Sequence, residues 1–223
     1  QVVPAAVEVQ CPSDGAGSLA VLIEGTPAGV EGRQATVGTL LGAGARSSED
    51  LPAWWGRYPW DDRYSRDDRY SRDDGYSRDD GYSRDDGYSR DEAETRARGA
   101  GSRATAIKAT FALSGLAQVL ESARAAAGQA RVPLNLRGSA GAGVLYGSMP
   151  ADADVSGISA VVDQLRSVCT SLGGSVVVLD APSTVKAAID TWGPAPAIDL
   201  MRRVKDQFDP EHRLSPGRFV GGI

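Results

Sequence analysis

The sequence predicts an α/β (α+β) fold, with a mainly antiparallel sheet and helices on one face. Beyond residue 104, short apolar segments alternate with longer amphipathic ones in the order strand, helix, strand, helix, strand, and the links between them are short. Near the N-terminus, a turn-rich segment separates two apolar runs and favours a hairpin. A chain of 223 residues is long enough to bury an ordinary hydrophobic core.

Two strands, one helix and an aromatic turn are predicted before residue 61. The turn cluster Pro12-Ser-Asp-Gly15 joins the two strands. Thr26 is expected to be the N-cap of the helix and Pro27 its first residue, and Gly42 follows its end. In chain order the predicted elements are strands 7–10 and 19–24, a helix that begins at 27, and a short aromatic helix or turn at 50–60.

A hexapeptide array fills residues 61–96. Asp-Asp-Arg-Tyr-Ser-Arg occurs twice, Asp-Asp-Gly-Tyr-Ser-Arg three times, and a diverged copy ends at Arg96. A period of six fits neither a helix nor a strand, and tyrosine is the bulky residue of each unit. Such a segment buries too little apolar surface to offset the entropy of ordering it. We therefore predict a disordered, low-complexity insertion in a folded domain.

Three strands and four helices are predicted after the array. The longest helix carries an apolar stripe, and Asp154 or Ser156 is expected to cap it. Ser183, which follows Pro182, is expected to be the N-cap of the next helix. The strands are 105–111, 142–149 and 174–180, and the helices are 114–129, 154–172, 183–190 and 196–207.

Charge and cysteine content exclude several classes of protein. The net charge of −5 lies within the array, and the rest of the chain is neutral, so we expect neither a nucleic-acid footprint nor a basic membrane patch. No apolar run approaches the length of a membrane span. Cys11 and Cys169 suggest neither a disulfide framework nor a metal site, which favours a cytoplasmic setting. The start, Gln1-Val-Val-Pro4, lacks a signal-peptide pattern and resembles a chain that begins in mid-protein.

Three motifs resemble parts of functional sites, but a structural interpretation is favoured for each of them. A strand follows the glycines of 138–143, whereas a dinucleotide loop needs a helix there, so a glycine-rich turn between strands is predicted. Ser183-Thr-Val-Lys186 matches Ser-x-x-Lys without its companion motifs. His212 is the one histidine of the chain, which excludes a two-histidine metal site. No autonomous active site is assembled, and the catalytic residues stay unknown.

The C-terminal residues are the most specific part of the sequence. Asp209-Pro210 should end the preceding helix, because the residue before proline avoids the α region. Ser215-Pro216-Gly217 predicts a tight turn with proline at its second position and glycine at its third. A C-terminal segment that simply packs on the rest of the chain would also account for this helix end and this turn.

These residues resemble the closing signature of FAD-linked oxidases of the vanillyl-alcohol oxidase type. In that family a helix ends in Lys-x-x-Phe-Asp-Pro and a turn contains Asn-Pro-Gly-Arg/Lys. Residues 205–210 and 216–218 match, and Ser215 stands where the family usually has Asn. Asp190-Thr-Trp-Gly-Pro194 and Met201-Arg-Arg-Val-Lys205 narrow the similarity to the FAD-binding subunit of glycolate oxidase. The similarity runs from about Pro4 to Ile223, the insertion excepted.

The resemblance implies the C-terminal cap of an FAD-dependent 2-hydroxy-acid oxidoreductase. FAD would be held mainly by a domain absent from this chain, and the isolated chain would be inactive. The implied partners are that FAD-binding domain, or the upstream part of the same protein, together with other oxidase subunits and a small 2-hydroxy acid. Through the other subunits the protein would lie peripherally at a membrane. The implied domains are 1–60 and 97–207 as two parts of the cap, 61–96 as the insertion, and 208–223 docking on the flavin domain.

Candidate site residues follow from the resemblance and from charge. Arg218, Ser215 and Gly217 on the C-terminal turn would contact the cofactor. Arg103 and Lys108, near the strand after the insertion, are candidate partners of a substrate carboxylate. No metal ligand is predicted. The alternative hypothesis is a non-catalytic α/β scaffold or interaction domain whose disordered loop binds partners.

Overall fold

A six-stranded antiparallel sheet forms the centre of the computed structural model, which describes residues 3–60 and 104–223. The strand order is β2-β1-β4-β5-β3-β6, and every neighbouring pair is antiparallel. Because β1 pairs with β4, the two described ranges contribute strands to one sheet. The strands are β1 (Ala6–Cys11), β2 (Ser18–Leu22), β3 (Thr105–Thr110), β4 (Asn135–Ser139), β5 (Val144–Met149) and β6 (Ser175–Asp180).

Five α-helices accompany the sheet in the described ranges; two of them supply most of the helical residues of the core, and a third adds Val185. One face of the sheet packs against α2 and α3, whose apolar stripes follow helical spacing. Ile107, Leu145, Met149, Ile158 and Leu165 are each at most 1% exposed. The helices are α1 (Pro27–Leu41), α2 (Leu116–Ala130), α3 (Val155–Ser171), α4 (Ser183–Ala188) and α5 (Ile198–Phe208).

The predicted fold class is confirmed, with the helices of the core on one face of an antiparallel sheet. The N-terminal hairpin, the helix that begins at Pro27 and the long helix capped by Asp154 are also confirmed. The Asp154 carboxylate accepts the Gly157 N–H at 3.0 Å, and hydrogen bonds from Ser156 and Gly157 lower the pKa of Asp154. The segment 50–60 forms turns rather than a helix.

One sequence-based prediction of local structure is wrong, and one strand was missed. Ser183 is the first residue of α4, and Pro182 occupies the N-cap with an extended ψ of 150°, because the fixed φ of proline suits the residue just outside a helix. Thr26 occupies the N-cap of α1 as predicted, and it does so without a side-chain capping bond. Strand β4 was not predicted, and the glycine-rich turn of 138–143 connects it to β5 through a single 3-10 turn.

The C-terminal arm, which we define as residues 198–223, lies apart from the core. Its helix α5 buries none of its residues, and Phe208 is 82% exposed. The chain after α5 folds back along it, where the Arg202 guanidinium donates to the Gly221 carbonyl at 3.4 Å. A Cβ at Gly221 would lie 2.5 Å from Ile198 Cδ1, so glycine permits this close approach.

Helix α1 is also exposed along its length. None of its residues is buried, and Leu40 is 77% exposed. Within residues 3–60 and 104–223, none of the helices combines the length and the apolar character needed to cross a bilayer. The hexapeptide array, and the insertion predicted there, lie outside the described residues.

Candidate functional site

The polar face, which we define by Gln10, Lys108, Arg137, Tyr146 and Ser148, lies opposite the face that packs on the helices. Tyr146 is in register with Lys108 on one side and with Arg137 on the other, and Arg137 is in register with Gln10. Directly opposite residues of neighbouring strands project on the same face. Two cationic side chains thus flank a phenol in one row across the centre of the sheet.

Ser148 adds a buried hydroxyl to this face. It lies two residues after Tyr146 on β5, and its register partner on β3 is Ala106. The side chain is 0% exposed, and its Oγ has no hydrogen-bond partner among the residues that the structure describes. A buried polar group without a partner costs about 1–3 kcal/mol. Thr105 Oγ1, on the face that packs on the helices, is buried without a partner in the same way.

Aromatic residues of the segment 50–60 cover part of the polar face. Tyr58 and Trp60 stack with ring centroids 4.8 Å apart, and both meet Tyr146 edge-on, at 4.7 and 6.0 Å. The Arg137 guanidinium donates to the Tyr58 carbonyl oxygen at 3.4 Å. Edge-to-face pairs of this kind are favourable beyond the apolar area that they bury. The predicted aromatic turn is therefore positioned at the centre of the polar face.

Charge on the polar face favours an anionic ligand. Lys108 is partly buried, and its ammonium makes no ion pair within the described part of the chain. An ammonium pairs well with a carboxylate, and a hydroxyl such as that of Tyr146 can add a hydrogen bond. Glu8, in register with Ser139, supplies a carboxyl group on the same face. Burial raises the pKa of Glu8, and a hydrogen bond from Ser139 opposes that effect.

The predicted cofactor-binding residues lie together on a turn of the C-terminal arm. The Arg218 N–H donates to the Ser215 carbonyl at 3.3 Å, and Gly217 has a φ of 73°, as the third residue of a type II turn requires. The predicted tight turn is confirmed. Ser215 itself has a φ of 47°, in the left-handed region where Asn is more frequent than Ser. All three side-chain positions are exposed.

Asp209 holds the polypeptide that leads into this turn. Its carboxylate accepts the backbone N–H groups of Arg213 at 2.8 Å and Leu214 at 2.9 Å. Lys205 Nζ lies 2.6 Å from one of its oxygens and also donates to the Leu214 carbonyl. Hydrogen bonding from Lys205, aided by the Leu214 N–H, lowers the pKa of Asp209 to about 2. The Phe-Asp-Pro sequence thus has a structural role, because it ends α5 and fixes the turn after it.

The predicted site residues fall on two separate elements. Lys108 lies on β3, within the polar face, and the cofactor candidates lie on the C-terminal turn. Arg103 is outside the described residues. Sequence reasoning missed Arg137, Tyr146 and Ser148, because only strand register reveals that they share a face with Lys108.

Among the described residues, no cluster of three or more His, Cys, Asp or Glu side chains could hold a metal ion. Comparison of the chain with protein-family models and with curated proteins finds no match. The C-terminal signature and the arrangement of the polar face are therefore the grounds for a functional proposal.

Proposed function

We propose that this chain is the substrate-binding cap of an FAD-dependent 2-hydroxy-acid oxidoreductase of the glycolate oxidase type. The observation that carries the proposal is the polar face, where the partly buried Lys108 lies beside Tyr146, so that an ammonium and a phenol can contact an organic anion together. The proposal also depends on the C-terminal signature, which resembles that of the oxidase family. A sheet with one helix-covered face and one polar face is suited to covering a second domain.

FAD, in this proposal, is held mainly by a domain outside this chain. Within the described residues, the glycines of 138–143 connect two strands and do not precede a helix N-terminus, so they do not fit a pyrophosphate. Arg218, exposed on its turn, fits as a donor to a phosphate or carbonyl oxygen. When bound, FAD supplies the acceptor for the hydride from the substrate.

Residues of the polar face bind and orient the 2-hydroxy acid. The Lys108 ammonium pairs with the substrate carboxylate, and its partly buried position strengthens that pair relative to one in open water. The Tyr146 hydroxyl provides a hydrogen bond beside it. Tyr58 and Trp60, which pack on Tyr146, form an apolar wall that limits access of water. Orientation of the acid in this way lowers the entropic cost of reaching the reactive geometry.

The C-terminal arm docks on the FAD-binding domain. Helix α5 is amphipathic, and its apolar face, which carries Leu200, Val204 and Phe208, is exposed in this chain. A helix of eleven residues is only marginally stable in water without tertiary contacts. Burial of this face against a second domain would stabilise the arm and place Arg218 near the interface.

Reconstitution tests the proposal. The chain is co-expressed with the polypeptide encoded directly upstream of Gln1, and the complex is assayed for bound flavin and for dye reduction driven by short 2-hydroxy acids. We expect a flavin-containing complex in which Lys108→Met raises the KM of the acid about tenfold or more, since a charge-assisted bond is lost. Lys108→Arg, which keeps the charge, serves as the matched control.

The opposite result favours the alternative function. If no flavin is retained, or no hydroxy acid reduces the dye, the oxidoreductase proposal is wrong. The exposed apolar face of α5 then supports a non-catalytic interaction domain. That alternative predicts a stable complex with a partner lacking flavin, and Phe208→Ser should weaken the complex while Lys108→Met leaves it unchanged.

A further inference from the structure

A cleft of about 630 Å³ lies on the helical side of the sheet, between α2 and the β1–β2 turn. Its lining includes Leu136 of β4, which is buried in the core, whereas the polar face is on the other side of the strands. The volume is within the range of small-molecule sites in proteins. The cleft is therefore separate from the candidate substrate site on the polar face.

The cleft combines an apolar floor with cationic edges. Arg124 and Arg131, seven residues apart on α2 and at its end, line it, and Asp14 of the turn is the acidic residue in its lining. Neither guanidinium forms an ion pair with any residue in the described ranges. The floor is made of Leu120, Ala123, Ala127, Val132, Leu134 and Leu136.

Cys11 shows that the charge of Arg124 acts within the cleft. Its partly buried thiol lies at the end of β1 and contributes to the lining. Burial raises the pKa of Cys11, and the nearby charge of Arg124 opposes that rise. An anion bound beside Cys11 would be attracted by the same exposed guanidinium.

We propose that this cleft binds a small carboxylate that carries an apolar body. The carboxylate would pair with Arg124 and Arg131, whose planar guanidinium groups match its two oxygens. The apolar body would cover the floor formed by α2 and the residues that follow it. A ligand here would bridge the N-terminal hairpin and α2, so its binding stabilises the folded chain by mass action. The site needs neither FAD nor a second domain, and its test is independent of the proposed oxidoreductase activity.

Titration of the complete chain with hexanoate, followed by NMR shifts and by alkylation of Cys11, tests the proposal. Hexanoate is expected to bind at concentrations of about 10 mM or below, and to slow alkylation of Cys11 severalfold. Cys169, which is 0% exposed, serves as the internal reference. Arg124→Gln and Arg131→Gln should each weaken binding about tenfold, as expected for the loss of a charge-assisted bond.

Matched controls separate this site from nonspecific binding. Hexanamide, which has the same shape without the charge, should bind much more weakly than hexanoate. Arg203→Gln, on the exposed arm, should bind hexanoate like the parent chain. Equal binding of acid and amide, unchanged binding in both cleft variants that retain their circular dichroism spectra, or no protection of Cys11 would overturn the proposal.

Discussion

The core and the C-terminal arm are stabilised by different interactions. In the core, α2 and α3 pack on the sheet, and residues such as Ile107 and Leu165 are almost completely buried. In the arm, α5 exposes its apolar face, and the turn after it is fixed by polar contacts of the Asp209 carboxylate. Hydrophobic burial therefore dominates in the core, whereas hydrogen bonds and ion pairs such as Lys205–Asp209 dominate in the arm.

This difference predicts that leucine truncations have unequal effects in the two regions. Leu165→Ala should lower the free energy of unfolding by about 2–5 kcal/mol, because it removes buried methyl groups and leaves a cavity. Leu200→Ala, on the exposed face of α5, should change it by less than about 0.5 kcal/mol. Urea denaturation of the two variants measures both values.

Similar losses in the two variants would contradict the comparison. A large loss for Leu200→Ala would mean that the arm packs its apolar face within the chain or against a second copy. Dilution distinguishes these cases, since the stability of a dimer depends on concentration and that of a monomer does not.

Acid should loosen the arm before it affects the core. The pKa of Asp209 is lowered from 3.8 to about 2 in the folded chain, so its stabilising effect is complete above the unfolded pKa. That effect is lost as the pH falls from about 4 towards 2. Amide exchange at Arg213 and Leu214, whose N–H groups bond to the Asp209 carboxylate, should accelerate over this range.

Substitution of Asp209 should reproduce this loosening at neutral pH. In Asp209→Asn the charge that pairs with Lys205 is lost, and protease cleavage within 209–218 should become faster while the core remains protected. Asp206→Asn is the control, since that carboxylate contacts the exposed His212. Equal cleavage of the two variants would show that Asp209 does not hold the turn.

The smallest predicted effect concerns the left-handed backbone at Ser215. Its φ of 47° is unfavourable for serine and better tolerated by asparagine. Ser215→Asn should therefore stabilise the turn by about 0.5 kcal/mol, measured as slower exchange of the Arg218 amide. Ser47→Asn, at an exposed position with no positive φ, should leave the exchange of this amide unchanged.

Sequence patterns predicted the elements that have strong periodicity. Helix α3 was predicted because its apolar stripe spans several turns, and the hairpin because Pro12-Ser-Asp-Gly15 separates two apolar runs. Strand β4 was missed, since Asn135-Leu-Arg-Gly-Ser139 contains a single large apolar residue. Its strand conformation depends on pairing with β1 and β5 on either side, which local sequence does not encode.

Less of the candidate site than of the fold could be predicted. Lys108 was a candidate from its charge within an apolar strand, but its neighbours on the polar face come from other strands. Tyr146 and Arg137 lie 38 and 29 residues further along the chain and are brought beside it through strand register. The unpartnered Ser148 hydroxyl depends on packing around it. The C-terminal turn, in contrast, was predicted correctly because its geometry is local.

The strand order has a consequence for how the chain is held together. Strand β1 joins the sheet by pairing with β4, along Glu8–Ser139 to Cys11–Leu136, and Arg137 reaches the backbone of Tyr58. These are the contacts by which a separate peptide adds itself to a sheet edge. Residues 3–60 therefore bind residues 104–223 much as a separate peptide would. Because the two segments belong to one chain, their effective concentration for each other stays high.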